Sequence, residues 1–251
     1  MKLIVQNLAT NYLSEGKGKT ILILHGWGDS INSFTNVVRL LSKNYNVVAL
    51  DLPGFGGTEI PKSDWCILDY ANFVKDFCNK LDIKPTYIIG HSMGGRVLIK
   101  LASKKLLNPE KIVLLSSAGI KESAKGKNLI IKLFSKPGKV LINSRILGRQ
   151  GSSLRQKIYK KFGSEDYISS GQLKKTFINI INEDLVGDAI NIKIPTLLIY
   201  GENDDQTPPL YGSKFNKAID GSKLKIIAGR GHFIQLEDPI GLSDIMMDFF
   251  K

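Results

Sequence analysis

The chain has 251 residues, enough for a substantial core in one large α/β domain or two small ones, and its 43% apolar and 23% charged content suits a globular fold. No apolar run reaches the roughly 18 residues that a membrane-spanning helix needs, and the short apolar stretch after Met1 lacks a signal-peptide cleavage site, so a cytoplasmic protein without a transmembrane segment is expected. The net charge of +12 is concentrated, because residues 121–175 carry 14 Lys and Arg against 3 Asp and Glu, which leaves 21 against 20 elsewhere.

Cys66 and Cys78 are the two cysteines, neither in a Cys-x-x-Cys pair, and read as reduced structural thiols. Three histidines with no His/Cys/carboxylate cluster at ligand spacing give no reason to expect a metal, and nothing calls for a cofactor.

In chain order, residues 2–13 alternate weakly and predict an antiparallel pair, and Thr20 to Leu24 is apolar enough for a fully buried strand. His25-Gly26-Trp27-Gly28 follows it directly. Apolar residues from Ser33 to Tyr45 recur at helical spacing, and Val47 to Leu50 is a second buried strand, which makes a β-α-β unit. The loop Asp51-Leu52-Pro53-Gly54-Phe55-Gly56-Gly57-Thr58 lacks the Gly-Lys-Ser/Thr of a phosphate-binding loop and reads as a rim of a cleft. Tyr70, Phe73, Val74, Phe77 and Leu81 then form an apolar helical stripe ending near Asp82.

Thr86 to Gly95 is the stretch that carries chemistry. Tyr87, Ile88 and Ile89 read as a strand, and Val97, Leu98 and Leu101 as a helix reaching about Leu106, with room for only a sharp turn between them. A serine at the tip of such a turn needs small residues two positions away on either side, and Ser92 stands between Gly90 and Gly94. This is a nucleophile elbow in its required strand-to-helix context. The Met93 amide, at the start of the helix, and the Trp27 amide, after Gly26, are the candidate donors to an oxyanion.

Lys111 to Leu115 supplies the next strand, and the alternation then stops. From Ala118 to about Asn191, clusters such as Leu129, Ile130 and Leu133, or Phe177, Ile178 and Ile181, predict three or four short amphipathic helices. Strand and helix patterns resume with Pro195 to Tyr200, Leu224 to Ala228 and Ile240 to Phe250. The expected fold is therefore α/β, a mostly parallel sheet flanked by helices, with residues 1–119 and 192–251 as its core and 120–191 as an inserted helical cap.

A serine hydroxyl needs an adjacent base. His91 adjoins Ser92 but successive side chains at a tight turn diverge, and His25 lies in the proposed oxyanion loop. That leaves His232, on a loop after the last strand, at the sheet edge where ligand sites form. On chemistry alone either Asp204 or Asp205 can orient it.

These segments, taken in order, resemble the α/β-hydrolase superfamily, in particular its small capped serine hydrolases of carboxylesterase type. The carrying residues are His25-Gly26-Trp27, Asp51 to Gly56, Gly90-His91-Ser92-Met93-Gly94-Gly95, Gly201-Glu202-Asn203-Asp204 with Pro208, and Gly231-His232. The resemblance implies a triad of Ser92, Asp204 and His232, and favours Asp204 as the acid. It implies hydrolysis of carboxylic esters or thioesters through an acyl-enzyme. A carbon–carbon bond hydrolase, a lyase or a slow-turnover ligand-sensing protein of the same fold would use much the same residues. The expected partner is a small ester or acyl substrate, with no nucleic acid. The basic segment is consistent with a plain solvated face, with an acidic substrate or acidic carrier steered by a positive rim, or, least favoured, with an anionic membrane or nucleic acid.

Overall fold

The computed structural model describes residues 1–121 and 171–251. Its centre is an eight-stranded sheet in the order β1-β2-β4-β3-β5-β6-β7-β8, where β1 is Lys2–Val5, β2 Leu8–Glu15, β3 Thr20–Leu24, β4 Asn46–Leu50, β5 Tyr87–His91, β6 Lys111–Leu115, β7 Thr196–Gly201 and β8 Lys223–Ile227. β1 and β2 form the expected antiparallel pair, joined by Gln6 and Asn7 at φ 47° and 62°. A two-residue turn with both φ values positive matches the twist of the strands it connects. β2 also runs antiparallel to β4, and β3 to β8 are mutually parallel.

The parallel strands β3 to β7 are apolar on both faces because helices cover both, whereas the edge strand β8 is largely exposed. Leu22, Leu24, Val48, Leu50, Ile88, Leu114 and Leu198 face α2 (Ile67–Lys80), α3 (Met93–Ser103) and, through Phe215, α6 (Pro209–Ala218). Their sequence neighbours Ile21, Ile23, Val47, Ala49, Ile89, Val113, Leu115, Leu197 and Ile199 face the other way, onto α1 (Thr35–Leu41) and α8 (Pro239–Phe250). Full burial of each such side chain is typically worth about 1.5–3 kcal/mol.

Three element boundaries differ from the sequence reading. The helix expected over Ser33–Tyr45 begins as a 3-10 turn, Ile31–Phe34, capped by the Ser30 hydroxyl at the Asn32 amide, and becomes α-helical only from Thr35. α3 stops at Ser103, where Lys105 takes a left-handed φ of 54°, short of the expected Leu106. α2 stops at Lys80, with Asp82 at φ 53°. Cys66 caps α2, with its amide donating to Asp69 Oδ2 at 2.7 Å, and Cys78 is buried in that helix; both thiols are free.

Between β6 and β7 the described residues 171–191 hold a 3-10 turn, Gly171–Leu173, then α4 (Lys174–Asn182) and α5 (Val186–Ala189). The expected cap over 120–191, with its apolar clusters from Leu129 to Phe162 and most of the basic segment, falls mainly on residues outside the described ones. Among the described residues, no helix is long and apolar enough to cross a membrane.

Parallel strands in register, such as Leu24 beside Gly90 and Gly201 beside Ile227, bring the loops after β3, β5, β7 and β8 to one edge. The last, short helix before α8 is α7 (Ile234–Glu237), which follows the β8 loop directly.

Candidate active site

Ser92 stands between β5 and α3 at φ 50°, ψ −110°, a strained conformation for a residue with a side chain. It is held by its own main chain: its amide donates to Leu115 O at 3.0 Å, and its carbonyl accepts from the amides of Gly95, Arg96 and Ala118 at 3.1, 3.3 and 3.2 Å. The flanking glycines are required by space. A Cβ at Gly94 would collide with the carbonyl oxygens of Leu24 and His25, and one at Gly90 would stand 2.5 Å from Gly94 O. Gly95 is equally confined, with a Cβ there meeting the side chain of Ser117.

The oxyanion loop lies against this turn. A Cβ at Gly26 would be 3.3 Å from Ser92 Cβ, so Gly26 lets the β3 loop pass beside the serine. Among the described residues, neither the Trp27 nor the Met93 amide donates a hydrogen bond within the protein, which leaves both free for a ligand. The loop is fixed by His25, whose Nε2 accepts from the Leu52 amide at 2.9 Å while Nδ1 donates to Gly26 O at 2.7 Å. Burial lowers the His25 pKa, so the neutral tautomer that these two bonds require is the stable one. Asp51 anchors the facing rim loop, with Oδ1 accepting from the Ile31 amide and Oδ2 from the Gly57 amide and Asn11 Nδ2.

His232 and Asp204 meet on the neighbouring loops. His232 Nδ1 is 2.8 Å from Asp204 Oδ2, with both side chains nearly inaccessible to solvent, and Asp205 is exposed. Asp204 Oδ1 accepts from the amides of Gln206 and Thr207 at 2.9 and 2.8 Å, and Oδ2 accepts from Thr207 Oγ1 at 2.7 Å. Burial alone would raise the carboxyl's pKa, but the hydrogen bond and charge of His232 and the Thr207 donors outweigh it, and the net shift is downward. Asp204 is thus an ionised acceptor at neutral pH.

Among the described residues, no hydrogen bond joins the Ser92 hydroxyl to His232. The two are linked through His91, whose ring centroid is 4.8 Å from that of His232. Catalytic hydrogen bonds of this kind are often long in unliganded proteins and tighten when substrate binds.

A family model described as the alpha/beta hydrolase fold matches residues 19–133. The enol-lactonase from Burkholderia xenovorans LB400 superposes with a TM-score of 0.76 over 99% of this chain and 99% of its own, at 22% identity. The chain has the α/β-hydrolase fold. The chain is also 28% identical to the uncharacterized hydrolase YugF of Bacillus subtilis, over 96% of this chain and 93% of the relative. It is 27% identical to the 2-hydroxy-6-oxo-6-(2'-aminophenyl)hexa-2,4-dienoic acid hydrolase of Metapseudomonas resinovorans, over 96% and 87% of the two chains.

In this fold, α4 lies over the loop after β3. Phe177 is 5.0 Å from the Trp27 ring, which is also 4.8 Å from Phe55, and Leu173 packs on Gly54 of the rim loop. Thr176 and Asn179 hold Trp65 by its amide and carbonyl at 2.9 and 3.3 Å. The nucleophile helix fastens the far end: Arg96 Nη1 donates to the carbonyls of Ile180 and Glu183 at 2.8 and 3.0 Å, and Lys100 Nζ pairs with Glu183 and Asp188 at 2.8 and 2.7 Å. Burial lowers the Arg96 pKa to about 10, which leaves it charged.

Ser92, Gly90, Gly94, Met93, Gly26, Trp27, Asp204 and His232 are all brought to one rim. Sequence reasoning named His25, His91 and Gly95 in these loops without assigning them a role of their own, and missed Thr207 and Arg96. The Thr207 role had a local signal, an acidic residue three positions before a threonine in a turn. The His91 and Arg96 contacts join positions 141 and 84 residues apart and leave no local trace.

Proposed function

We propose that the protein is a serine hydrolase that cleaves carboxylic esters or thioesters through an acyl-enzyme formed on Ser92. The observation that carries this reading is the buried Asp204–His232 pair on the same sheet edge as a serine at φ 50°. His232, with Nδ1–H donated to Asp204, takes the Ser92 proton at Nε2 as Oγ adds to the acyl carbon. The amides of Trp27 and Met93 stabilise the oxyanion, each such donor being typically worth about 10²- to 10³-fold in rate. The protonated imidazole gives its proton to the leaving alcohol or thiol. Water then attacks the acyl-enzyme, His232 takes a proton from it, and Ser92 regains its hydrogen as the acid departs. Trp27, Phe55 and Phe177 offer an apolar wall to the acyl or alcohol group. The inserted cap over 120–191 would complete the cleft, and its positive charge would steer an acidic substrate.

The lactonase named above, which by that name acts on a cyclic ester, supports this reading. A second one, carbon–carbon bond hydrolysis by the same residues, is supported by the dienoic acid hydrolase of Metapseudomonas resinovorans. The test is a panel of p-nitrophenyl esters of graded acyl length beside 2-hydroxy-6-oxo-6-(2'-aminophenyl)hexa-2,4-dienoic acid, with wild type and Ser92→Ala, and labelling by a fluorophosphonate. Ser92-dependent turnover of the esters supports the first reading. Turnover of the dienoic acid alone supports the second, and no labelling with no turnover in either series refutes both.

A further inference from the structure

We propose that His91, the residue immediately before the nucleophile, is a positioning residue that holds the catalytic imidazole of His232 in place through its main chain. The inference rests on the Ser92–His232–Asp204 reading and adds a fourth side chain to it.

At the elbow Ser92 turns up toward the rim. His91, the last residue of β5, keeps the alternation of the strand and points with Tyr87 and Ile89 toward the α1 and α8 face. There it is completely buried, with its ring 6.2 Å from Phe34, 5.6 Å from Phe233 and 4.8 Å from His232. Its Nε2 is 3.0 Å from the His232 carbonyl oxygen. A carbonyl can only accept, so the proton of the neutral ring sits on Nε2. Among the described residues, this is the one hydrogen bond that the His232 carbonyl receives.

The opposite nitrogen makes the case specific. His91 Nδ1 is buried without a hydrogen-bond partner and lies 3.1 Å from where a Cβ on Gly26 would be. A neutral imidazole cannot donate from Nε2 without leaving Nδ1 a bare acceptor, and a bare buried acceptor destabilises the fold. An aromatic hydrocarbon would fill the same space without that burden. What the histidine provides and a phenylalanine does not is the donor to His232. One ring therefore touches three parts of the site: the oxyanion loop at Gly26, the nucleophile it precedes, and the loop of the general base. Since Ser92 and His232 are not directly bonded, this ring is the rigid link that sets their separation. Desolvation lowers its pKa to about 3, so the link stays neutral throughout the working range.

The test compares His91→Phe, which keeps a ring and loses the donor, with His91→Gln, whose side-chain amide reaches as far as Nε2 and restores a donor. Steady-state hydrolysis of p-nitrophenyl butyrate and the rate of fluorophosphonate labelling are measured on purified full-length protein, with Ser92→Ala and His232→Ala alongside. His91→Phe should lower kcat at least about 10-fold with KM changed less than about twofold, because a displaced base affects the reacting geometry and not the apolar binding wall. Labelling should slow in parallel, and His91→Gln should recover kcat to within about threefold of wild type. If His91→Phe does not fold, His91→Met, which also lacks the donor, must show the same kcat loss. Wild-type kcat in the donor-less variant, with Ser92→Ala and His232→Ala inactive, overturns the inference and leaves the triad reading intact. Loss in both His91→Phe and His91→Gln to the same extent also overturns it, by assigning the effect to packing. Full activity in Ser92→Ala overturns the triad reading and this inference with it.

Discussion

Asp204 Oδ2 lies 2.8 Å from His232 Nδ1 across 28 positions of sequence, and the same carboxylate accepts three further hydrogen bonds, from the Gln206 and Thr207 amides and the Thr207 hydroxyl. Asp205, the next residue, is exposed. Asp204→Asn should therefore lower kcat by about 10³- to 10⁴-fold, because an amide can present its NH₂ to Nδ1 and stabilise the wrong tautomer. Asp205→Asn should leave kcat within about twofold of wild type. Steady-state kinetics on one ester decides this, and equal losses in the two variants would contradict it.

Thr207 acts on the acid from the side, with its hydroxyl 2.7 Å from Asp204 Oδ2, 3.0 Å from Ser116 O and 3.2 Å from His232 Nδ1. Removing that donor while keeping the branched shape, as in Thr207→Val, should lower kcat about 10-fold with little change in KM. Thr207→Ser should retain most of the activity. A wild-type kcat in the valine variant would mean that the two amides on Oδ1 orient the carboxylate by themselves.

The His91 imidazole also predicts how stability depends on acid. Its folded pKa of about 3 lies below the unfolded value of about 6.5, chiefly through burial and then through the nearby His232. The unfolded chain therefore binds more protons between those two values, and stability at this site is lost as pH falls from about 6.5 toward 3. The charged and titratable groups that act on the ring are His232, Asp204 and His25. Replacing it by Gln should reduce the slope of unfolding free energy against pH in that window by up to about 1.4 kcal/mol per unit. Urea unfolding at pH 4.5 and 7 measures it, and an unchanged slope would refute the assignment.

Gly95 packs on Ser117 so closely that an added Cβ meets the serine side chain, whereas one on Gly94 meets the main-chain carbonyls of Leu24 and His25. Gly95→Ala should cost about 1–3 kcal/mol of stability through overpacking. Ser117→Gly in the same chain should return part of it, and Gly94→Ala should be the more damaging of the two single changes. Thermal unfolding of the three single variants and the double variant tests this, with additive losses as the contrary result.

Arg96 is the buried fastener between the nucleophile helix and α4. Arg96→Met should leave the Glu183 carbonyl without its donor and the Ile180 carbonyl with only the Glu183 amide at 3.3 Å, and cost about 1–3 kcal/mol. Lys104→Met, which touches only the 3.8 Å edge of the Asp188 pair from an exposed position, should be nearly neutral. Equal melting temperatures for the two variants would refute the role of Arg96.

Much of this was readable from the chain because it is a matter of local rules. Apolar strands from Thr20 to Ile199 needed cover on both faces, which dictated a parallel sheet between helix layers. Ser92 between Gly90 and Gly94 announced a turn that only glycines permit, and His232 was reached by eliminating the two other histidines. Boundaries such as Phe34 and Lys105 were missed because caps and left-handed residues, and not periodicity, fix where a helix starts and stops.

What the amino-acid order determined by itself was which residue types stood at strand ends. On chemistry alone it left Asp204 and Asp205 equal, and only the resemblance favoured Asp204, since adjacent acids on a loop differ in which one the folded backbone turns inward. It gave no hint of His91 Nε2 on the His232 carbonyl or of Arg96 on α4, because those bonds exist only once distant segments are packed side by side. Tertiary structure decided them through burial: a polar atom removed from water must find its partner in whatever the fold brings within about 3 Å.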